Sequence, residues 1–160
     1  VHERFLFLGE DRTRSFLELR LLACLLKKGL PVPAPVAAGY RRGFCTYVAE
    51  LITERLAGAA SLTEMLRTGR MNETRWAAIG RCLRRFHDAG VQHADLNANN
   101  IMLGEAGEVW VLDFDRGRLR EPGAWRERVL NRLARSLAKI TMGRIEWQRG
   151  YSSLRSAHDS

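Results

Sequence analysis

The stretch QHADLNANNIML, Gln92–Leu103, places one histidine, one aspartate and three asparagines within eight residues and then runs directly into apolar sequence. This feature constrains the fold most, because polar side chains set that close to a strand must be satisfied by one another or by a ligand. The apolar runs NIML and VWVLDF follow, joined by GEAGE, which reads as a β-hairpin with glycine in its turn. In an antiparallel pair the two ends away from the turn are neighbours. Asn100 opens the first strand, Asp113 closes the second, and Asp95 lies in the loop leading in. Three oxygen-bearing side chains are therefore predicted to converge at one end of a small ribbon. Two hard oxygen ligands suit Mg²⁺, which completes its shell with phosphate and water. A separate carboxylate nearby can accept a hydroxyl proton. Phosphoryl transfer needs these parts.

The rest of the chain supplies a frame for that ribbon. TRSFLELRLLACLLKKGL reads as a helix that Thr13 or Ser15 can cap and Gly29 can end. Leu21, Leu22, Leu25 and Leu26 share one side of it, and Glu18 falls amid them, where a carboxylate is costly unless something positive meets it. PVPAPVAAGY carries three prolines within five residues and reads as an extended connector. FCTYVAELITERL is β-branched and aromatic and reads as one or two strands. SLTE is a capping box, Ser61 with Glu64, opening a short helix that stops near Gly69. NETRWAAIGRCLRRFHDAG is the clearest helix: Asn72 caps it, Trp76, Ile79, Leu83 and Phe86 form one apolar face, and Gly90 ends it. AWRERVLNRLARSLAKI is amphipathic, with Trp125, Val129, Leu133, Leu137 and Ile140 inward and its arginines elsewhere, either solvated or against lipid head groups. The fold class is α+β with a helical majority, without internal repeats.

Composition narrows the partners. The 160 residues suit one domain, and a net charge of +8 favours an anionic partner: a nucleotide, a nucleic acid or an acidic membrane face. Cys24, Cys45 and Cys82 are scattered and odd in number, which argues against a disulfide scaffold and a zinc site and fits a reducing compartment. The longest apolar run, LLACLL, is too short to span a bilayer, and no signal peptide is visible. The chain opens with Val1 rather than Met, as a fragment or an alternative start would.

HADLNANN followed by a strand pair and DFD resembles the catalytic and metal loops of protein-kinase-like phosphotransferases. The resemblance implies Asp95 as catalytic base, Asn100 and Asp113 as Mg²⁺ ligands, and His93 as a structural member of the loop. It implies Glu18 as the helix glutamate whose partner is a strand lysine. It also implies a hinge near Thr53, Glu54, Arg55 and Leu56 that receives the adenine of ATP through backbone groups. The chain departs from protein kinases: Asn97 stands where a lysine would follow Asp95, Asp115 replaces the glycine of the metal motif, and no A-P-E follows. No room is left for a peptide-binding segment, which points to a small-molecule or glycolipid kinase.

GLPVPAPVAA, LITERL, HADLNANNIML, VWVLDFDRGRLR and NRLARSLAK together resemble the 3-deoxy-D-manno-octulosonic acid (Kdo) kinases of the lipopolysaccharide kinase group, from about residue 6 to residue 151. That implies a protein-kinase-like fold: residues 1–57 as the remnant of an N-terminal lobe and its hinge, residues 58–160 as a helical C-terminal lobe with the catalytic hairpin. It implies ATP-dependent phosphorylation of the 4-hydroxyl of Kdo on a lipid A precursor. The setting would be peripheral, on the cytoplasmic face of a Gram-negative inner membrane, with nucleic acid an unlikely partner. Only seventeen residues precede Glu18, with one glycine and no lysine, so the glycine-rich loop and strand lysine are expected to be missing. The alternatives are a heptose, aminoglycoside-type or tRNA-modification kinase, or an inactive truncated pseudokinase. Asn97 and Asn99 either cap the loop or touch substrate; Asp115 either binds a second metal or caps the next turn. His87 with His93 reads as packing rather than a metal pair, since their spacing crosses a helix end. Trp110 and Trp125 read as packing.

Overall fold

The computed structural model describes residues 5–142 and 146–160; Val1 lies outside the described residues. The first unit is a three-stranded antiparallel sheet with one helix on it. Its strands are β1 (Phe5–Leu6), β2 (Pro35–Arg42) and β3 (Thr46–Thr53), in the order β1-β3-β2. Helix α1 (Arg14–Lys27) packs against β2 and β3. Thr13 precedes it in extended geometry, but its hydroxyl bonds back to the Glu10 carbonyl at 2.8 Å instead of capping the helix. Ser15, buried inside the first turn, donates to the Gly39 carbonyl at 2.8 Å and stitches helix to sheet. Leu22 and Leu25 enter the core, whereas Leu26 is exposed, because the apolar face of α1 is narrower than four leucines.

The proline-rich connector is extended only as far as Ala34; its second half is strand β2. Pro35 stands at the start of that strand, with a register shift between Pro35 and Ala37, so its missing N–H costs no ladder bond. FCTYVAELITERL makes a single strand, β3.

The second unit begins with β4 (Ala60–Ser61) and α2 (Leu62–Arg67), where Ser61 Oγ accepts from the Glu64 N–H at 3.2 Å. Helix α3 (Glu73–Asp88) follows, its first turn capped by Asn72 Oδ1 on the Arg75 N–H at 2.9 Å, with Trp76, Ile79, Leu83 and Phe86 all buried. Strand β5 (Val91–Gln92) leads into the polar loop, and β6 (Ile101–Leu103) with β7 (Val109–Val111) forms the anticipated hairpin. Gly107, at φ 94°, makes its turn. β4 adds to the hairpin to give the sheet β4-β6-β7, and β8 (Arg118–Leu119) pairs with β5. Helix α4 (Trp125–Ile140) buries Trp125, Val129, Leu130, Leu133 and Leu137. All strand pairs are antiparallel, in keeping with an α+β chain.

Helix α5 (Glu146–Asp159) is an element the sequence reading does not assign, although Trp147, Tyr151 and Leu154 recur at i, i+4 and i+7 and pack on the core. It is held by close backbone approach. Gly80 of α3 lies against the Leu154 carbonyl and Gly150 of α5 against the Trp76 indole; a Cβ at either position would overlap its neighbour. Leu154 is fully buried in the resulting seam. At the far end, His158 Nδ1 donates to Asp159 Oδ1 at 2.7 Å, which leaves His158 Nε2 to accept from His87 Nδ1 at 2.8 Å. Burial, and then the nearby His158 and Arg126, push the His87 pKa down to about 3. His87 therefore belongs to packing, and not to a site with His93.

Two outcomes follow for stability. Gly80→Ala should cost about 1–3 kcal/mol in urea denaturation, from overpacking against backbone that cannot retreat. Gly39→Ala, whose Cβ meets nothing within 4 Å, should change stability by about 0.5 kcal/mol or less. The unfolded chain binds a proton at His87 near pH 6.5 while the folded chain resists it down to about 3. Stability should thus fall as pH drops through that window. A His87→Asn variant, which cannot charge, should give a shallower slope of melting temperature against pH.

Candidate active site

Loop and hairpin bring Asp95, Asn100 and Asp113 together. Leu112 N–H donates to the Asn100 carbonyl at 2.8 Å, which closes the open end of the hairpin one residue beyond its last ladder pair. Asn100 Nδ2 donates to the Asp95 carbonyl at 3.1 Å and stands 3.5 Å from Asp113 Oδ2. Bonding the amide nitrogen to the loop orients Asn100 and leaves its oxygen available. Asp113 adopts φ 62°, a left-handed backbone that a non-glycine residue holds only where its surroundings fix it.

His93 fixes the loop to the hairpin. Its Nε2 donates to the Leu112 carbonyl at 2.8 Å and its Nδ1 accepts from the Asp95 N–H at 3.1 Å, so the neutral Nε2–H tautomer is the one present. Burial lowers its pKa and keeps the ring neutral. Asn97 bonds the Asp95 carbonyl through Nδ2 at 3.0 Å and caps a 3-10 turn at Ala98–Asn100 by accepting from the Asn99 N–H at 2.9 Å. Asn99 Oδ1 accepts from the Thr63 hydroxyl at 2.7 Å. Both asparagines thus build the loop.

Glu18 reaches this loop from α1. Its Oε1 accepts from the Phe114 N–H at 2.9 Å, in the residue after Asp113, so the partner seen here is a backbone amide and not a side-chain cation. Burial, opposed by that hydrogen bond and reinforced by the charges of Asp113 and Asp115, raises its pKa to about 7. Asp115 forms an ion pair with Arg14 at 3.2 Å. Gly117 permits the turn to sit on Leu21, whose side chain a Cβ there would strike. Thr53 is the last residue of β3; Glu54, Arg55 and Leu56 leave the strand, with Glu54 N–H bonded to the Ala34 carbonyl at 2.8 Å. This segment is not bonded to the acidic loop.

A cleft of about 400 Å³ opens here, lined by Arg14, Ala94, Asp95, Asp113, Asp115, Arg116 and Arg132. The sequence places the α4 arginines either in solvent or against lipid head groups; Arg132 instead bonds Asp95 Oδ1 through Nη1 at 2.6 Å. One turn on, Ser136 Oγ accepts from the Ala98 N–H at 3.2 Å. Arg132 and Ser136 stand one turn apart and both meet the loop, a contact that the sequence of α4 does not signal. Asp113 has no ion pair among the described residues, and no group of three or more His, Cys, Asp or Glu suited to a metal occurs among them. A hard cation would therefore be met by the Asn100 amide oxygen and the Asp113 carboxylate, a two-ligand set of the kind Mg²⁺ accepts.

Among the described residues, antiparallel sheets, five α-helices and this acidic loop are compatible with the kinase-like class. The chain matches the lipopolysaccharide kinase (Kdo/WaaP) family over residues 2–152, and it belongs to that family. It is similar to a 3-deoxy-D-manno-octulosonic acid kinase of Xylella fastidiosa (strain 9a5c), 49% identical over 160 residues, covering 98% of this chain and 64% of that protein. The enzyme of the same name from Stenotrophomonas maltophilia (strain K279a) is 48% identical over 162 residues, with 99% and 64% covered. That of Xanthomonas axonopodis pv. citri (strain 306) is 45% identical over 160 residues, with 98% and 64% covered. The chain thus spans just under two thirds of the length of these relatives. No helix among the described residues is long and apolar enough to cross a membrane.

Glu18 gives a pH signature. The folded state holds its proton up to about pH 7 and the unfolded chain releases it near 4.5, so the stability linked to that proton is complete below pH 4.5 and lost as pH rises to 7. Glu18→Gln keeps an acceptor for the Phe114 amide without the charge. Calorimetry should find it melting above the wild type at pH 8, with the gap closing at pH 5.

Proposed function

We propose that the protein transfers the γ-phosphoryl group of ATP to the 4-hydroxyl of Kdo on a Kdo–lipid A precursor, in lipopolysaccharide biosynthesis. The observation that carries this reading is the gathering of Asp95, Asn100 and Asp113 at one end of the β6–β7 hairpin. The family and the names of the relatives supply the acceptor class. Asp95 is the base: its exposed carboxylate takes the hydroxyl proton while the acceptor oxygen bonds to phosphorus and the bond to the departing diphosphate breaks. Asn100 and Asp113 are the metal ligands; Mg²⁺ at that pair would neutralise triphosphate charge. Glu18 holds the backbone that follows Asp113, and so sets the approach of that carboxylate. Thr53, Glu54, Arg55 and Leu56 are the hinge that receives adenine, dividing an N-terminal lobe over residues 1–57 from a C-terminal lobe over 58–160. The acceptor is an anionic glycolipid, and the net charge of +8 favours peripheral binding at the cytoplasmic face of the inner membrane.

The test is turnover of Kdo–lipid A with ATP and Mg²⁺ by the whole protein. Asp95→Ala should lower kcat by about 10²–10⁴-fold, the range of a lost general base, and leave the melting temperature nearly unchanged because the side chain is exposed. Turnover retained in that variant removes Asp95 from the role of base. Labelling of other sugars with Kdo–lipid A left untouched removes the acceptor assignment.

A further inference from the structure

The cleft beside Asp95 holds more cationic character than a base and a metal pair require. Arg132 stands on the loop-facing side of α4, fixed there by the neighbouring turn through Ser136 and Ala98. Its guanidinium gives one bond to Asp95 Oδ1 at 2.6 Å and has no other hydrogen-bond partner among the described residues. The remaining donors of the planar fork are unspent, and such a fork matches a carboxylate. The pair is well exposed, 47% for Arg132 and 62% for Asp95, so its exchange for a new partner is inexpensive. Arg14, which also lines the cleft, is engaged by Asp115.

We infer that Arg132 is the receptor for a carboxylate on the acceptor, and that it thereby selects an acidic sugar over a neutral one. The inference rests on the proposed function, because it takes the acceptor to be the ulosonic acid named in the relatives. In that acid the carboxyl carbon and the hydroxyl-bearing C4 are separated only by C2 and C3. A hydroxyl delivered to Asp95 therefore brings the carboxylate within reach of the guanidinium that touches the same aspartate. Arg132 occupies Asp95 Oδ1, while the other carboxylate oxygen lies 3.4 Å from Asn97 Nδ2. When the acceptor enters, its carboxylate takes over part of the fork, and the Asp95 oxygen is free for the hydroxyl proton. Acceptor recognition and exposure of the base thus become one event. A neutral sugar would leave Arg132 on the base.

The experiment compares two acceptors with the whole protein: Kdo–lipid A, and the same glycolipid with the Kdo carboxylate converted to its primary amide. Wild type should show a KM for the amide higher by about tenfold to a hundredfold, the worth of a charged hydrogen bond, with the KM for ATP unchanged. Arg132→Ala should raise the KM for the acid to the level of the amide and abolish the preference between them. Arg132→Lys, which keeps a charge without the fork, should recover part of that preference; this graded return is not what loss of a merely structural contact would give. Equal use of acid and amide by wild type overturns the inference, as does a preference that survives Arg132→Ala; in both cases phosphorylation of Kdo still stands. If wild type phosphorylates neither acceptor, the functional reading itself fails and this inference falls with it. The wild-type comparison decides the matter even where a variant does not fold.

Discussion

A hydrogen bond from the Phe114 amide to Glu18 Oε1, beside the Arg14–Asp115 ion pair, joins the two units of the molecule where the acidic loop is formed. The carboxylate arrives from α1, itself held on the small sheet by Ser15 and sunk into the core by Leu22 and Leu25. The amide belongs to the turn that carries Asp113 in its left-handed conformation. Losing the acceptor would leave a half-buried N–H without a partner and free a strained turn, so the cost would fall on the geometry of Asp113 rather than on the fold as a whole. Burying a carboxylate here lifts its pKa to about 7, which marks the position as one where stability yields to placement.

The hairpin and its loop were legible because local rules suffice for them. Glycine at the turn, two short apolar runs and a fixed offset between Asn100 and Asp113 place both side chains at one end without any knowledge of tertiary structure. Helices α2 and α3 were legible for the same reason: Ser61 and Asn72 cap their first turns as their spacing requires. Helix α5 was legible in part, through Trp147, Tyr151 and Leu154 at helical spacing; its close seat was not, since that rests on two glycines that let backbone touch backbone and indole. Strand β2 was hidden by the prolines before it, which read as an extended connector; only Pro35 enters the strand, at its irregular start. In the site, the contact of Arg132 with Asp95 could not be read from α4 alone, because an arginine beside an apolar stripe is usually solvated; the docking of the loop on that helix decides it.

Two arginines of the cleft stand in separate ion pairs, and Arg116 also lines it. Arg14 answers Asp115, Arg132 answers Asp95, and Asp113 is left beside an amide. An acidic group left in that way among compensated neighbours is the one with charge to give to a cation. The arginine-rich composition is therefore partly local bookkeeping around one loop, and only the remainder bears on the anionic partner suggested by the net charge.

The ring of His93 has a further use. Its Nε2 hydrogen lies within a buried contact to the Leu112 carbonyl, while its Nδ1 is occupied by the Asp95 amide. Solvent can reach that hydrogen only when loop and hairpin part. Its exchange with deuterium, followed as one imidazole resonance, is a clock for how often the acidic loop breathes, and it can be read without any ligand present.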